Sequence, residues 1–212
     1  MKKVLVIAIA LTFALTACAF AGANPVGKIA IHAKAHPTSC TKGYPVFVDC
    51  NSIVETWAPL GDVDVMPVFY DLTQYTVVET GMLWPEADWY SASWIKCKGD
   101  IAVGSITHSV DAGFPQDVSG TAIAWTTCQT GTIVAPGFAW LAPTTAGYVC
   151  PVPNPATGDY GTVDCAPEPG PYYDLAYCVG CAGFGGFIGD DPCNLPSATE
   201  PSTWGEIKSI FK

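Results

Sequence analysis

Asp64-Val-Met-Pro-Val-Phe-Tyr-Asp-Leu72, Tyr75-Thr-Val-Val-Glu-Thr-Gly-Met-Leu-Trp-Pro85, Tyr90-Ser-Ala-Ser-Trp-Ile-Lys-Cys97 and Thr121-Ala-Ile-Ala-Trp-Thr-Thr-Cys128 decide the fold. Each run is short, rich in β-branched and aromatic side chains, and bounded by Gly, Pro or Asp, as sheet strands are. The stretch from Asp64 to Cys128 therefore predicts the core of a β-sandwich. A Cys97–Cys128 bridge is expected to tie two of its strands together.

Upstream, Lys28-Ile-Ala-Ile-His-Ala-Lys-Ala35 alternates, with Ile29, Ile31, Ala33 and Ala35 on one side and Lys28, Ala30, His32 and Lys34 on the other. This predicts a strand with one wet face. His32 and His36 would share a metal on a helix, but a strand separates them by roughly 13 Å, so both are expected to be solvated. Further strands are expected at Ser52–Trp57, within Thr132–Ala142 and Gly147–Val152, and at Gly161–Cys165, with a loop over Asp111–Gly120. Pro59 and Gly61 end the strand before them, since proline lacks a ladder donor and glycine frees the turn. Eight to ten short strands with no long helix predict an all-β, antiparallel sandwich of immunoglobulin-like type. The 39 glycines and prolines in 212 residues suit its many tight turns.

The ends differ from the middle. Met1-Lys-Lys, the apolar run Val4–Phe20 and the small-residue exit Ala19-Phe-Ala21 have the zones of a cleaved secretory signal. The expected organisation is a signal peptide over 1–21, a single domain over 22–199 with a Cys-rich C-terminal segment, and a tail over 200–212. Leu15-Thr-Ala-Cys18 is the alternative exit, a lipobox that would leave a lipidated Cys18. Either product is exported from a bacterial cytoplasm, as a secreted or envelope protein with no transmembrane segment after processing. In the tail, Thr203-Trp-Gly-Glu206 matches a capping box, and Trp204, Ile207, Ile210 and Phe211 form an apolar stripe on the helix it would start.

Charge narrows the partners. There are 19 acidic side chains against nine lysines and no arginine, and the net charge of −10 falls to about −12 once Lys2 and Lys3 leave with the signal. Nucleic-acid binding requires cations to neutralise phosphates, and this balance excludes it. A cell-surface protein or a polysaccharide is the expected class of partner.

Ten cysteines in an exported chain predict disulfides. Without Cys18, nine remain, and one must be free or intermolecular. Sequential pairing closes the shortest loops around turn signals: Cys40 with Cys50, Cys97 with Cys128, Cys150 with Cys165, and Cys181 with Cys193, leaving Cys178 as the odd thiol. Cys178-Val-Gly-Cys181 lacks the histidine of a haem attachment site and the strand–helix setting of a thioredoxin motif.

No catalytic constellation stands out. His108 lies near Ser105, Ser109 and Asp111, yet no nucleophile elbow surrounds them. None of the 19 acids is singled out as half of a glycosidase pair. No cofactor is expected; calcium is the one ion that the turns at Asp62, Asp64 and Gly189-Asp-Asp-Pro192 would suit, without the loop that makes such a site specific. Among the aromatics, Trp84, Trp89, Tyr90 and Trp94 crowd together, and Trp89, Tyr90 and Trp94 would stack sugars if exposed in one plane, or form core if buried.

Gly22-Ala-Asn-Pro-Val-Gly-Lys28, Asp64-Val-Met-Pro-Val-Phe69, Leu83-Trp-Pro85, Val149-Cys-Pro-Val-Pro153, Gly189-Asp-Asp-Pro-Cys193 and Glu200-Pro-Ser-Thr-Trp-Gly-Glu-Ile-Lys208 together resemble a group of exported, cysteine-containing bacterial β-proteins. That resemblance implies an extracellular or envelope location and brings no catalytic residue with it. The strand arrangement is also loosely similar to cohesin-type and carbohydrate-binding sandwiches, a likeness of fold alone. The expectation is a non-enzymatic exported protein with a surface-structural or adhesion role; a carbohydrate-binding module and a secreted hydrolase are the alternatives.

Overall fold

The computed structural model describes residues 27–84, 89–91, 94–105, 118–154, 161–165, 172–174 and 179–195. The expected signal peptide, Cys18, His108, Ser109, Asp111, Cys178 and the expected tail helix lie outside the described residues.

The strands are β1 (Lys28–Ala35), β2 (Thr56–Trp57), β3 (Val63–Tyr70), β4 (Gln74–Leu83) and β5 (Tyr90–Ser91). They continue as β6 (Ile95–Lys96), β7 (Ile101–Ser105), β8 (Val118–Thr130), β9 (Ile133–Val134) and β10 (Gly137–Ala142). The last are β11 (Gly147–Val152), β12 (Gly161–Val163), β13 (Tyr172–Asp174), β14 (Val179–Gly180) and β15 (Ala182–Phe184). The count exceeds eight to ten because five of these are two-residue ladders, which no local periodicity announces.

The strands form two sheets. In the first the order is β14-β1-β3-β10-β5, with β6 also on β10 and β9 on β3. In the second it is β13-β12-β4-β11-β15-β2, with β8 on β4 and β7 on β8. Most neighbours are antiparallel, but β1–β14 and β15–β2 run parallel, so the sheets are mixed rather than purely antiparallel.

The sheets face each other in a sandwich-like arrangement. Ile31, Ala33, Val63, Val65, Ala139 and Leu141 of the first meet Met82, Val149, Ala182 and Phe184 of the second in one apolar cluster. Ile29 and Phe69 meet Tyr75, Val78 and Ile123 in another.

A third layer corrects the expected wet face of β1. The chain from His36 to Glu55, a strap with one short 3-10 turn at Cys50–Ser52, crosses the outer side of the first sheet. Tyr44, Phe47 and Ile53 pack there on Ala30, Met66, Val68, Tyr70 and Phe138. With both faces covered, every residue of β3 is buried, which is why Val-Asp-Val-Met-Pro-Val-Phe-Tyr reads as a nearly continuous apolar run rather than an alternating one. His32 is likewise buried, not solvated: its Nδ1 accepts the Val54 N–H at 2.9 Å, and its ring meets Phe47 edge-on. Val54 also accepts the Ala33 N–H at 2.8 Å, so the strap seals the part of β1 that β14 leaves unpaired.

Four disulfides join the eight described cysteines, and every partner differs from sequential pairing. They are Cys40–Cys97, Cys50–Cys193, Cys128–Cys165 and Cys150–Cys181, spanning 57, 143, 37 and 31 residues. Loop-closure entropy rises only logarithmically with length, so the preference for short loops is weak beside the proximity that sheet pairing imposes. Cys128 and Cys165 illustrate this: β8 and β12 both pair with β4, and the end of β8 and the chain following β12 bring the two Cα atoms within 5.4 Å.

Candidate functional site

The strap creates the site. Ser39 Oγ accepts the Lys42 N–H at 2.8 Å to form a tight turn, and Gly43 follows with φ of 74°, a left-handed backbone that suits glycine. Lys34 Nζ donates to the Gly43 carbonyl at 2.6 Å, and Tyr44 Oη donates to the Ala135 carbonyl at 2.7 Å. Farther on, Ser52 Oγ accepts the Val48 N–H at 3.1 Å. Cys40–Cys97 and Cys50–Cys193 fasten the two ends.

Between this strap and β9 lies a groove of about 390 Å³, lined by Cys40, Tyr44, Pro45, Val46, Phe47, Lys98, Ile133, Val134 and Ala135. Its walls are mixed, with Thr41, Gly43 and Lys98 beside the apolar side chains. Lys98 Nζ stands 5.9 Å from the Tyr44 ring centroid, a cation over an aromatic face. Val46 is 83% exposed and Val48 73%, large values for apolar side chains on a segment stapled on both sides. Lys34 of β1 reaches the strap through the Gly43 carbonyl, and Lys42 lies within it. Burial pushes the Tyr44 phenol above its ordinary value, so it stays a neutral donor to Ala135. Below the strap, burial first and the Lys34 charge second bring His32 down to about 4, which keeps its Nδ1 an acceptor at neutral pH.

The residues singled out from sequence are placed elsewhere. Trp89 is 1% exposed, its ring edge-on to Phe184 and its Nε1 donating to Thr145 Oγ1 at 3.1 Å. It is core, and it cannot stack on a sugar. Trp94 is half-buried against the same cluster, and its indole covers Gly137, where any Cβ would meet the ring at 2.6 Å. It lies between β5 and β6, and the Tyr90 side chain is outside the described residues.

The acidic turns are occupied by their own surroundings. Asp64 is wholly buried; its Oδ2 accepts the Thr38 N–H at 2.6 Å and its Oδ1 pairs with His36 Nδ1 at 3.0 Å. Asp190 accepts the Cys181 N–H, and Asp191 accepts from the Cys193 N–H and the Asn194 side chain. Among the described residues no group of three or more His, Cys, Asp and Glu gathers around a metal-sized site. Asp100 is held below the ordinary carboxylate value by the Thr126 N–H first and the Thr126 hydroxyl second, an exposed loop anchor outside the groove.

Sequence reasoning missed the groove. Tyr44-Pro-Val-Phe-Val48 does carry a signal, five consecutive apolar residues inside an irregular segment, where exposed apolar side chains need a reason.

Fold and groove define a mixed-sheet, disulfide-stapled β-protein with a recess of mixed polarity edged by lysine. Compared with protein-family models, curated proteins and solved structures, the chain matches none.

Proposed function

We propose that this is an exported, non-enzymatic surface or adhesion protein that holds a partner through the groove beneath the strap. The observation that carries the proposal is the exposure of Val46 and Val48 on a segment fixed at both ends by disulfides. A rigid recess loses little conformational entropy on binding, so a small contact area suffices. Its chemistry suits an apolar side chain with a carboxylate nearby: Phe47 and Ile133 would take the first and Lys98 the second. The four disulfides and the resemblance to exported bacterial proteins support an oxidising location.

The test uses beads coated with the secreted protein and presented to the surface of cells that make it. Wild type is expected to retain cells, and Val46→Asp to lose about tenfold of that retention, about 1.4 kcal/mol. Because Val46 is exposed, the variant should melt as wild type does. Equal retention by both proteins would remove the groove from the reading. Fully reduced protein found inside the producing cell would remove export.

A further inference from the structure

We infer that the strap is an acid-opened gate: a proton taken up by His32 frees the strap from β1, and with it Phe47, a wall of the groove. His32 Nδ1 accepts the Val54 N–H at 2.9 Å, and its ring lies edge-on to Phe47 with centroids 4.9 Å apart. An imidazolium donates from both nitrogens, so a protonated His32 sets an N–H against the Val54 N–H and strands a charge beneath an aromatic ring. Val54 also accepts the Ala33 N–H at 2.8 Å, so two bonds that hold the strap on β1 meet at one residue. Phe47 couples them to the groove, since it both touches His32 and lines the recess. The inference rests on the groove being a recognition surface, and it adds that acid dismantles that surface.

The surroundings do not compensate a proton on His32. On β1, Lys34 adds positive charge and donates to the Gly43 carbonyl of the strap. On β3, Met66 is the residue paired with His32, while Asp64, paired with Lys34, is committed to His36 Nδ1 and the Thr38 N–H. On the strap, Asp49 accepts the Asn51 N–H and Glu55 follows Val54; among the described residues ion pairs join Lys28 with Asp71 and His36 with Asp64, not His32 with any carboxylate. Burial holds His32 at about 4, and a ring released with the strap returns to its ordinary 6.5, so opening takes up a proton between those values. The closed-to-open ratio therefore falls about tenfold per pH unit across that interval. The four disulfides favour the assembled sheets over unfolding, and Cys40–Cys97 and Cys50–Cys193 keep the strap tethered, so the cheaper response is local opening.

Hydrogen exchange on the full secreted chain tests it, with the intrinsic rate at each pH divided out. In wild type the Val54 and Ala33 amides should lose protection about tenfold per pH unit between pH 6 and 4.5, and stay at least about tenfold less protected than Val78 in β4. In His32→Asn, whose amide oxygen accepts the Val54 N–H without titrating, their protection should be flat, whereas His36→Asn should keep the wild-type slope. Protection independent of pH, protection equal to that of Val78, a slope that survives His32→Asn, or a slope lost in His36→Asn overturns the gate. Should His32→Asn fail to fold, the ring signals of His32 in wild type decide by nuclear magnetic resonance: a midpoint well below 6.5 supports the gate, and one near 6.5 overturns it. In the bead assay, cell retention by wild type should fall several-fold from pH 6.5 to 4.5 and that by His32→Asn should not; retention by both that ignores pH overturns the control of the groove. If exchange behaves as predicted while no protein retains cells at any pH, the gate stands and the adhesion reading fails.

Discussion

Replacing both Cys50 and Cys193 by alanine removes the staple with the longest span, 143 residues. In the chain-entropy model a loop of that length stabilises by about 5 kcal/mol, and the other three disulfides shorten the effective loop enough to bring this to about 4 kcal/mol. For a chain of this size each kcal/mol moves the melting temperature by about 2–4 °C, so a fall of about 8–16 °C is expected. The effect should appear in urea and thermal unfolding followed by circular dichroism without reductant. Cys150→Ala with Cys181→Ala is the comparison, closing only 31 residues. Cys50→Ala alone adds a sharper readout: alkylation and peptide mapping should find the new free thiol at Cys193, whereas sequential pairing would put it at Cys40. A thiol at Cys40, or a stability loss below about 1 kcal/mol, would refute the arrangement in which strap and C-terminal turn are sewn together.

Three other outcomes follow from buried groups. Asp64→Asn leaves one of the two donors, Thr38 N–H or His36 Nδ1, facing an amide instead of a carboxylate, and should cost about 2–3 kcal/mol in chemical denaturation. His32 sits at about 4 in the fold against an ordinary 6.5, so the unfolded chain binds the extra proton between those values. Its contribution is complete above pH 6.5 and is lost as pH falls toward 4, a change of about 3 kcal/mol that His32→Gln should flatten in denaturation curves taken across that range. Trp89→Ala should destabilise by about 3–5 kcal/mol, since it empties a core site against Phe184; a loss of polysaccharide binding at unchanged stability would contradict its burial.

Within Asp64–Cys128, β3, β4 and β8 were legible because their cause is local, whereas the run Tyr90–Cys97 splits into β5 and β6 and β7 was not singled out. β1 has the bounds that its alternation predicts, and β10 and β11 fall inside the runs Thr132–Ala142 and Gly147–Val152. The strap was not legible, since Tyr44-Pro-Val-Phe-Val48 forms no ladder and is shaped by contacts with Ala135, His32 and Ser52. For the same reason His32 was misplaced: its own strand reads as half-wet, and only a segment some twenty residues onward covers it.

Composition and spacing alone thus determined the β class, the acidic balance, and a cysteine content suited to an oxidising compartment. Which cysteines meet, which aromatic rings are core, and where a recess opens were decided only by tertiary structure. The reason is physical: side-chain period and turn chemistry act over a few residues, whereas Cys50 meets Cys193, and Trp89 meets Phe184, only after two sheets and a strap have stacked.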